Sequence, residues 1–131
     1  MKIYLGRVGR EITVTRERWV RLRGTRTELT IRNQLIASDL SIKKNELIMR
    51  FLRENYGKID SAHVFVCTPG EDEDIYHILI NGRFIVRFEV ERISGIICGV
   101  ENGSVFEYSK KLRGRLRNLE MLVALDLANN H

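Results

Sequence analysis

Apolar and polar positions change period several times along this chain, and each change marks a predicted element. Ile3-Tyr4-Leu5 and Glu11-Ile12-Thr13-Val14-Thr15 alternate as short strands around the turn region Gly6 to Gly9. Trp19-Val20-Arg21-Leu22 follows with no clear period. Thr27 to Ala37 reads as helix through Ile31 and Leu35, four apart, or as strand through Leu29 and Ile31, and the helix is the better fit. The next segment places Leu40, Leu47, Ile48, Phe51, Leu52 and Tyr56 on one helical face, with Asp39 or Ser41 to cap its start and Gly57 to stop it.

A run of strands comes next. Ala62 to Cys67 ends at the turn Pro69-Gly70 and the acidic loop Glu71-Asp72-Glu73-Asp74. Ile75–Ile80 and Arg83–Val90 flank Asn81-Gly82, the strongest short-range hairpin signal. A two-residue loop would set Ile80 against Arg83, Leu79 against Phe84, His77 against Val86, Tyr76 against Arg87 and Ile75 against Phe88. Phe84, Val86, Phe88 and Val90 then share one face, and Arg83, Ile85, Arg87 and Glu89 the other. Asn102-Gly103 predicts a second hairpin, from Gly95–Val100 to Ser104–Tyr108. A closing helix spans about Lys110 to Ala128, its apolar stripe made of Leu112, Leu116, Leu119, Leu122, Val123 and Leu125. The elements together predict one α+β domain over residues 1–131. It would hold a four- to five-stranded antiparallel meander, helices packed on one face and a basic, strand-rich N-terminal arm.

Composition narrows the class. With 131 residues, 44% apolar and 30% charged, the chain can build a core. Its apolar runs are too short for a bilayer-spanning helix, and charge interrupts the start before a leader-like block forms, which predicts a cytoplasmic protein with no membrane partner. Cys67 and Cys98 form neither a disulfide framework nor a metal spacing, and are expected as buried thiols. No phosphate loop, metal motif or cofactor motif is present, so neither a metal nor a cofactor is expected.

Charge changes the picture most. From Lys2 to Arg32 stand nine cations, Lys2 and eight arginines, against Glu11, Glu17 and Glu28. Lys110-Lys111-Leu112-Arg113-Gly114-Arg115-Leu116-Arg117 adds five more and no acid. Clustered arginine favours phosphate, by bidentate hydrogen bonds and by counterion release. Arg18, Arg21 and Arg23, together with Lys110, Arg113 and Arg117, are the candidate nucleic-acid contacts. Arg113 and Arg117 stand four apart on the predicted helix. The same residues can equally serve as a solvated face.

Candidate chemistry is sparser. His131 is terminal, His63 shares a strand face with Phe65 and Cys67, and the predicted register places His77 on the Phe84/Phe88 face; these read as core or edge histidines. The opposite face offers Tyr76, Arg87 and Glu89 as a candidate catalytic set. There Arg would stabilise developing charge on a phosphodiester, and Glu or Tyr would move a proton. A cross-strand polar pair on a solvated sheet is the plainer account.

Gly6-Arg7-Val8-Gly9-Arg10-Glu11-Ile12-Thr13-Val14-Thr15-Arg16-Glu17-Arg18-Trp19, followed by a helix and a four-stranded meander, resembles the barnase/EndoU/colicin/RelE-type ribonucleases of toxin and phage proteins. Where that pattern has a histidine after its Arg-Glu-Arg-Trp stretch, Val20-Arg21-Leu22-Arg23 stands here. The resemblance implies an arginine-driven nuclease or an inactive binding relative.

Two function readings remain. The first is a nucleic-acid-binding protein, RNA ahead of DNA, whose sharpest form is a small metal-independent endoribonuclease. The second is a non-enzymatic interaction protein, phage- or mobile-element-like, that holds an acidic protein partner. A homodimer pairing through the sheet face is a further expectation.

Overall fold

A computed structural model describes residues 11–15, 18–22 and 24–129, with side chains for Leu22 and residues 24–129. The predicted strand Ile3-Tyr4-Leu5, together with Arg23 and His131, lies outside the described residues. Strands β1 (Glu11–Thr15) and β2 (Arg18–Arg21) pair antiparallel as a separate ribbon. Helices α1 (Arg26–Lys44) and α2 (Glu46–Tyr56) follow. Strands β3 (Ala62–Pro69), β4 (Glu73–Ile80), β5 (Phe84–Glu91) and β6 (Ile97–Ser104) form one antiparallel sheet in chain order. Helices α3 (Val105–Lys111) and α4 (Arg115–Asn129) close the described fold. The α+β class, the antiparallel meander and helices packed on the sheet are those the sequence predicts, but the helices cover both faces of the sheet rather than the expected one.

Asn45 decides where the first helical region breaks. Its N–H satisfies the Ile42 carbonyl at the end of α1, and its side chain accepts from the Ile48 N–H at 3.1 Å to cap α2. The predicted caps Asp39 and Ser41 therefore lie inside α1. Gly57 stops α2 as expected, at φ +77°. Asp39 and Ser38 instead serve the sheet. The Asp39 carboxylate accepts from the Ala62 N–H at 2.7 Å, and the Ser38 hydroxyl accepts from the Val64 N–H at 3.0 Å. Side chains of α1 thus satisfy edge donors of β3 that would otherwise template another strand. Among the described residues, β6 has no strand on its outer side.

Alternate residues of the strands feed two cores, and the helices take both faces. Ile78, Ile80, Val86 and Phe88 pack with Ile48, Met49 and Leu52 of α2. Leu79 and Ile85 pack with Ile31 and Leu35 of α1, Val105 of α3 and Met121 to Leu125 of α4. Each fully buried Leu, Ile or Phe side chain contributes about 1.5–3 kcal/mol.

Several expectations are corrected. The loop after β4 has three residues, not two. Asn81 and Gly82 adopt φ +55° and +67°, and the Arg83 N–H returns to the Ile80 carbonyl at 3.0 Å. Asn81 is drawn towards the α2–β3 connection: its side-chain oxygen accepts from the Asp60 and Ser61 N–H groups at 2.7 and 3.1 Å, and its amide donates to the Lys58 carbonyl at 2.8 Å. Pairing accordingly begins at Ile80 with Phe84, one residue from the predicted register, and every β4 side chain changes face.

The second Asn-Gly makes no turn. Asn102 and Gly103 lie within β6, opposite Val86 and Ile85, while the β5–β6 reversal uses residues 92–96 with Gly95 at φ +73°. Ser104 caps α3 by accepting from the Glu107 N–H at 3.1 Å, so the segment read as a strand to Tyr108 is helical.

The closing helix divides at Gly114, φ +87°, after Leu112 ends α3. Both cysteines, expected buried, are exposed: Cys67 lies where β3 runs out from its cover, and Cys98 on the outer strand β6.

Candidate functional site

The corrected register assembles a row of side chains that the two-residue loop would have scattered. His77 of β4 stands opposite Arg87 of β5, and Arg87 stands opposite Glu101 of β6. Neighbouring positions on one sheet face lie about 5 Å apart. Towards the Leu79/Ile85 end this face is roofed by α3 and α4; towards His77 and Arg87 it opens. A cavity of about 180 Å³ forms there, lined by His77, Arg87 and Glu101 on the sheet and by Glu107, Tyr108 and Lys111 of α3.

Helix α3 is what turns a sheet face into a cleft. Its Ser104 cap sets the start, Val105 and Ser109 are buried, and Tyr108 swings over the sheet one turn after the cap. The Tyr108 ring stacks on Phe65 with centroids 5.8 Å apart, and its hydroxyl lies 3.3 Å from His77 Nδ1. Burial holds the His77 imidazole below its ordinary range, the Arg87 guanidinium adds to the effect, and Glu101 partly opposes it. Burial raises the Tyr108 phenol, with Arg117 lowering and Glu120 raising it. Near neutral pH the pair is therefore a neutral imidazole beside a protonated phenol. When His77 Nδ1–H donates to the phenolic oxygen, Nε2 keeps its lone pair and can act as a base.

Arg87 is held from the other side. Its Nη1 donates to the Gly99 carbonyl at 2.9 Å and lies 3.5 Å from a Glu89 carboxylate oxygen. Gly99 sits at φ +62° in a break of the β5–β6 register, and a Cβ there would run into the Glu89 carboxylate and the Arg87 guanidinium. The bulge is the device that lets the Arg87–Glu89 pair settle against β6.

Of the candidate catalytic set, Arg87 and Glu89 come together and Tyr76 does not. Tyr76 stands opposite Phe88, its ring stacked on Phe88 at 5.3 Å between centroids in the α2-side core. Burial, then Cys67 across the strand and Asp74, raise its phenol. The one-residue shift exchanges it for His77, which was expected on the Phe84/Phe88 face. His63, by contrast, is buried. Tyr108 carried no sequence signal as a site residue because a strand was expected where α3 forms, Glu101 fell beside the expected Asn102-Gly103 turn, and Lys111 was read only as part of the basic run.

The candidate nucleic-acid contacts are dispersed. Arg18 and Arg21 belong to β2, described in backbone only, and Arg23 lies outside the described residues. Lys110 lies in the last turn of α3 with its ammonium 4.1 Å over the Phe106 ring. Arg113 is exposed in the α3–α4 link, and Arg117 of α4 pairs with Glu120 at 3.0 Å. The break at Gly114 overturns the expected helical spacing of Arg113 and Arg117. Burial raises the Glu120 carboxyl, and Arg117 opposes the shift. Lys110, Lys111, Arg113, Arg115 and Arg117 still follow one another from the rim of the cleft into α4.

Among the described residues, no three His, Cys, Asp or Glu side chains are grouped to hold a metal ion, and no helix is long and apolar enough to cross a membrane. Comparison with protein-family models, curated proteins and solved structures finds no match to this chain.

Proposed function

We propose that this protein binds RNA and cleaves it in the cleft between α3 and the sheet. The observation that supports this reading is the row His77–Arg87–Glu101 beneath Tyr108, in which a half-buried imidazole is kept neutral next to a guanidinium. RNA carries its own nucleophile in the 2′-hydroxyl, so a base, a cation and a proton donor suffice for the transfer. His77 Nε2 takes the 2′-hydroxyl proton and the 2′-oxygen attacks phosphorus. The bond from phosphorus to the 5′-oxygen breaks, and that oxygen takes a proton from the Lys111 ammonium. The products are a 2′,3′-cyclic phosphate and a 5′-hydroxyl end. Arg87, anchored on the Gly99 carbonyl, faces the charge that develops on the phosphoryl oxygens. The basic run from Lys110 to Arg117 binds the flanking backbone.

Incubating the purified protein and its His77→Ala variant with total RNA tests this directly. Fragments ending in cyclic phosphate from the wild type, and about 10²–10⁴-fold slower cleavage by the variant, are expected. Cleavage at the same rate by His77→Ala would remove the cleft from the reaction.

A non-enzymatic role is the second reading, supported by exposed apolar side chains around the β5–β6 turn. Ile93 is 94% exposed, and Ile96 and Leu47 lie largely open beside it in the chain and fold. Salt separates the two: RNA binding weakens by decades between about 50 and 200 mM, whereas an apolar protein interface scarcely responds.

A further inference from the structure

We infer that a second copy of this chain docks on the outer face of α1, with the two helices parallel and in register. The inference stands apart from the cleavage reading. Helix α1 packs inward through Ile31, Leu35 and Ile42, while Leu29, Ile36 and Leu40 stand 57%, 42% and 53% exposed on its other side. With the exposed Asn33 they follow spacings of four, three and four residues. That is the alternation by which one helix seats its side chains between those of another. Charge singles out the same face. In a chain with 30% charged residues and a net charge of +5, every exposed position of α1 from Thr27 to Ser41 is uncharged. An RNA strand meets no exposed cation there, and a charged partner meets no opposite charge. A second copy brings the same uncharged face, so two net-positive molecules can meet along it with their cations outside. Lys43, at the end of the face, pairs within its own chain with Asp39 at 2.9 Å.

Asn33 decides what the occupant presents. Covered by an apolar surface, its amide would lose water and keep no partner, which destabilises the contact. A parallel copy sets it against the same amide of the mate, and each donates to the other. An antiparallel copy sets it against Ile36. One Asn at an inner seam position thus specifies both register and a two-chain assembly. The site is also placed so that it does not obstruct the cleft. Helix α1 lies along β3, the first strand of the sheet, whereas the cleft opens over β4 to β6 under α3. The face is a strip about 28 Å long and about 10 Å wide. That is less than the about 800 Å² per partner of a standard interface, so the dimer is a reversible one.

Sedimentation of the full chain from about 10 µM to about 1 mM should show a monomer–dimer equilibrium. It should hold or tighten as salt rises from about 50 to about 500 mM, because the repulsion between two net-positive copies is screened. Ile36→Glu changes an exposed position, so the monomer stays folded, and should weaken association more than about a hundredfold by setting like charges against each other. Ile93→Glu, on the 94% exposed side chain at the β5–β6 turn, should leave association unchanged. Orientation is read with Cys67→Ser and Cys98→Ser, which remove the exposed native thiols, combined with Leu29→Cys. Parallel helices bring the two introduced thiols together for a disulfide, whereas antiparallel helices hold them about 16 Å apart. A chain that stays monomeric at about 1 mM, a dimer that salt dissociates, or a dimer that survives Ile36→Glu overturns the inference. A dimer that forms no disulfide through Leu29→Cys overturns the parallel register.

Discussion

The two faces of the β3–β6 sheet are made from alternate residues of the same strands, yet they end in different states. On one, Tyr76, Ile78, Val86 and Phe88 meet α2 and close into an aromatic and aliphatic core. On the other, Leu79 and Ile85 are covered, but the next positions outward are His77 and Arg87, and cover stops there. The difference lies in the helices. Helix α2 is eleven residues long and carries Phe51 and Tyr56 to the sheet, whereas α3 has seven residues and reaches the sheet through Tyr108. A short helix braced at one end leaves a gap, and the gap holds the polar side chains. The first face closes as core, and the second leaves titratable side chains open to solvent.

The sharpest way to break that comparison exchanges the neighbours Tyr76 and His77 as targets. Arg87→Ala should slow RNA cleavage about 10²–10³-fold, the scale for losing one group aimed at developing charge, and His77→Ala more. Tyr76→Phe should leave the rate within about twofold, because its ring, stacked on Phe88, belongs to the closed face. Single-turnover cleavage assays decide it. A loss in Tyr76→Phe as large as in His77→Ala would show that the faces are not separate.

Next in size is the closed face itself. Phe88 is fully buried and touches the rings of Phe51 and Tyr76. Phe88→Ala should cost about 3–5 kcal/mol in urea unfolding, through lost burial and the cavity left behind. The rate per folded molecule should be preserved at a temperature where the variant is folded. A stable Phe88→Ala variant would mean that α2 can collapse onto the sheet.

Gly99→Ala comes below that and acts on both properties. Alanine at φ +62° is strained, and its methyl group would displace the Glu89 carboxylate and the Arg87 guanidinium. A stability loss of about 1–3 kcal/mol is expected, with a drop in cleavage because Arg87 leaves the Gly99 carbonyl. An unchanged rate would place Arg87 outside the reaction.

How far these sites were legible in the chain follows from what each depended on. The α2 face could be read because its helical stripe and the alternation in β5 are local patterns, and Gly57 ended the helix as its backbone freedom suggests. The cleft could not be read, because it depends on one residue of register. Asn81-Gly82 and Asn102-Gly103 are the same dipeptide, yet the first sits in a three-residue loop and the second inside a strand. What separates them is tertiary: Asn81 is bonded to Lys58, Asp60 and Ser61, and Asn102 to Tyr56. Turn propensity found the hairpin and missed its length, so Tyr76 and His77 changed places. Ser104 and Glu107 do carry a capping pattern for α3, and the strand reading of 104–108 passed over it.

The smallest effect expected is also the most specific to the open face. A base works only when deprotonated, so cleavage should fall as pH falls through the folded pKa of His77. Burial and Arg87 set that pKa below the ordinary value of about 6.5, and Glu101 holds it up in part. The acid limb of the pH–rate profile should therefore lie below the limb of a free imidazole. Glu101→Gln removes the upward pull and should move the limb lower still, with little change in the plateau rate. Arg87→Gln removes a downward pull and should move the limb the other way while lowering the plateau. Tyr108→Phe deletes only a 3.3 Å contact, so the limb should stay where burial puts it. Opposite displacements in the Glu101 and Arg87 variants identify His77 as the titrating base, because both groups share its row, Arg87 next to it and Glu101 beyond, and act on it with opposite sign. A limb that moves in neither variant assigns the titration to another group and removes His77 from the proton transfer.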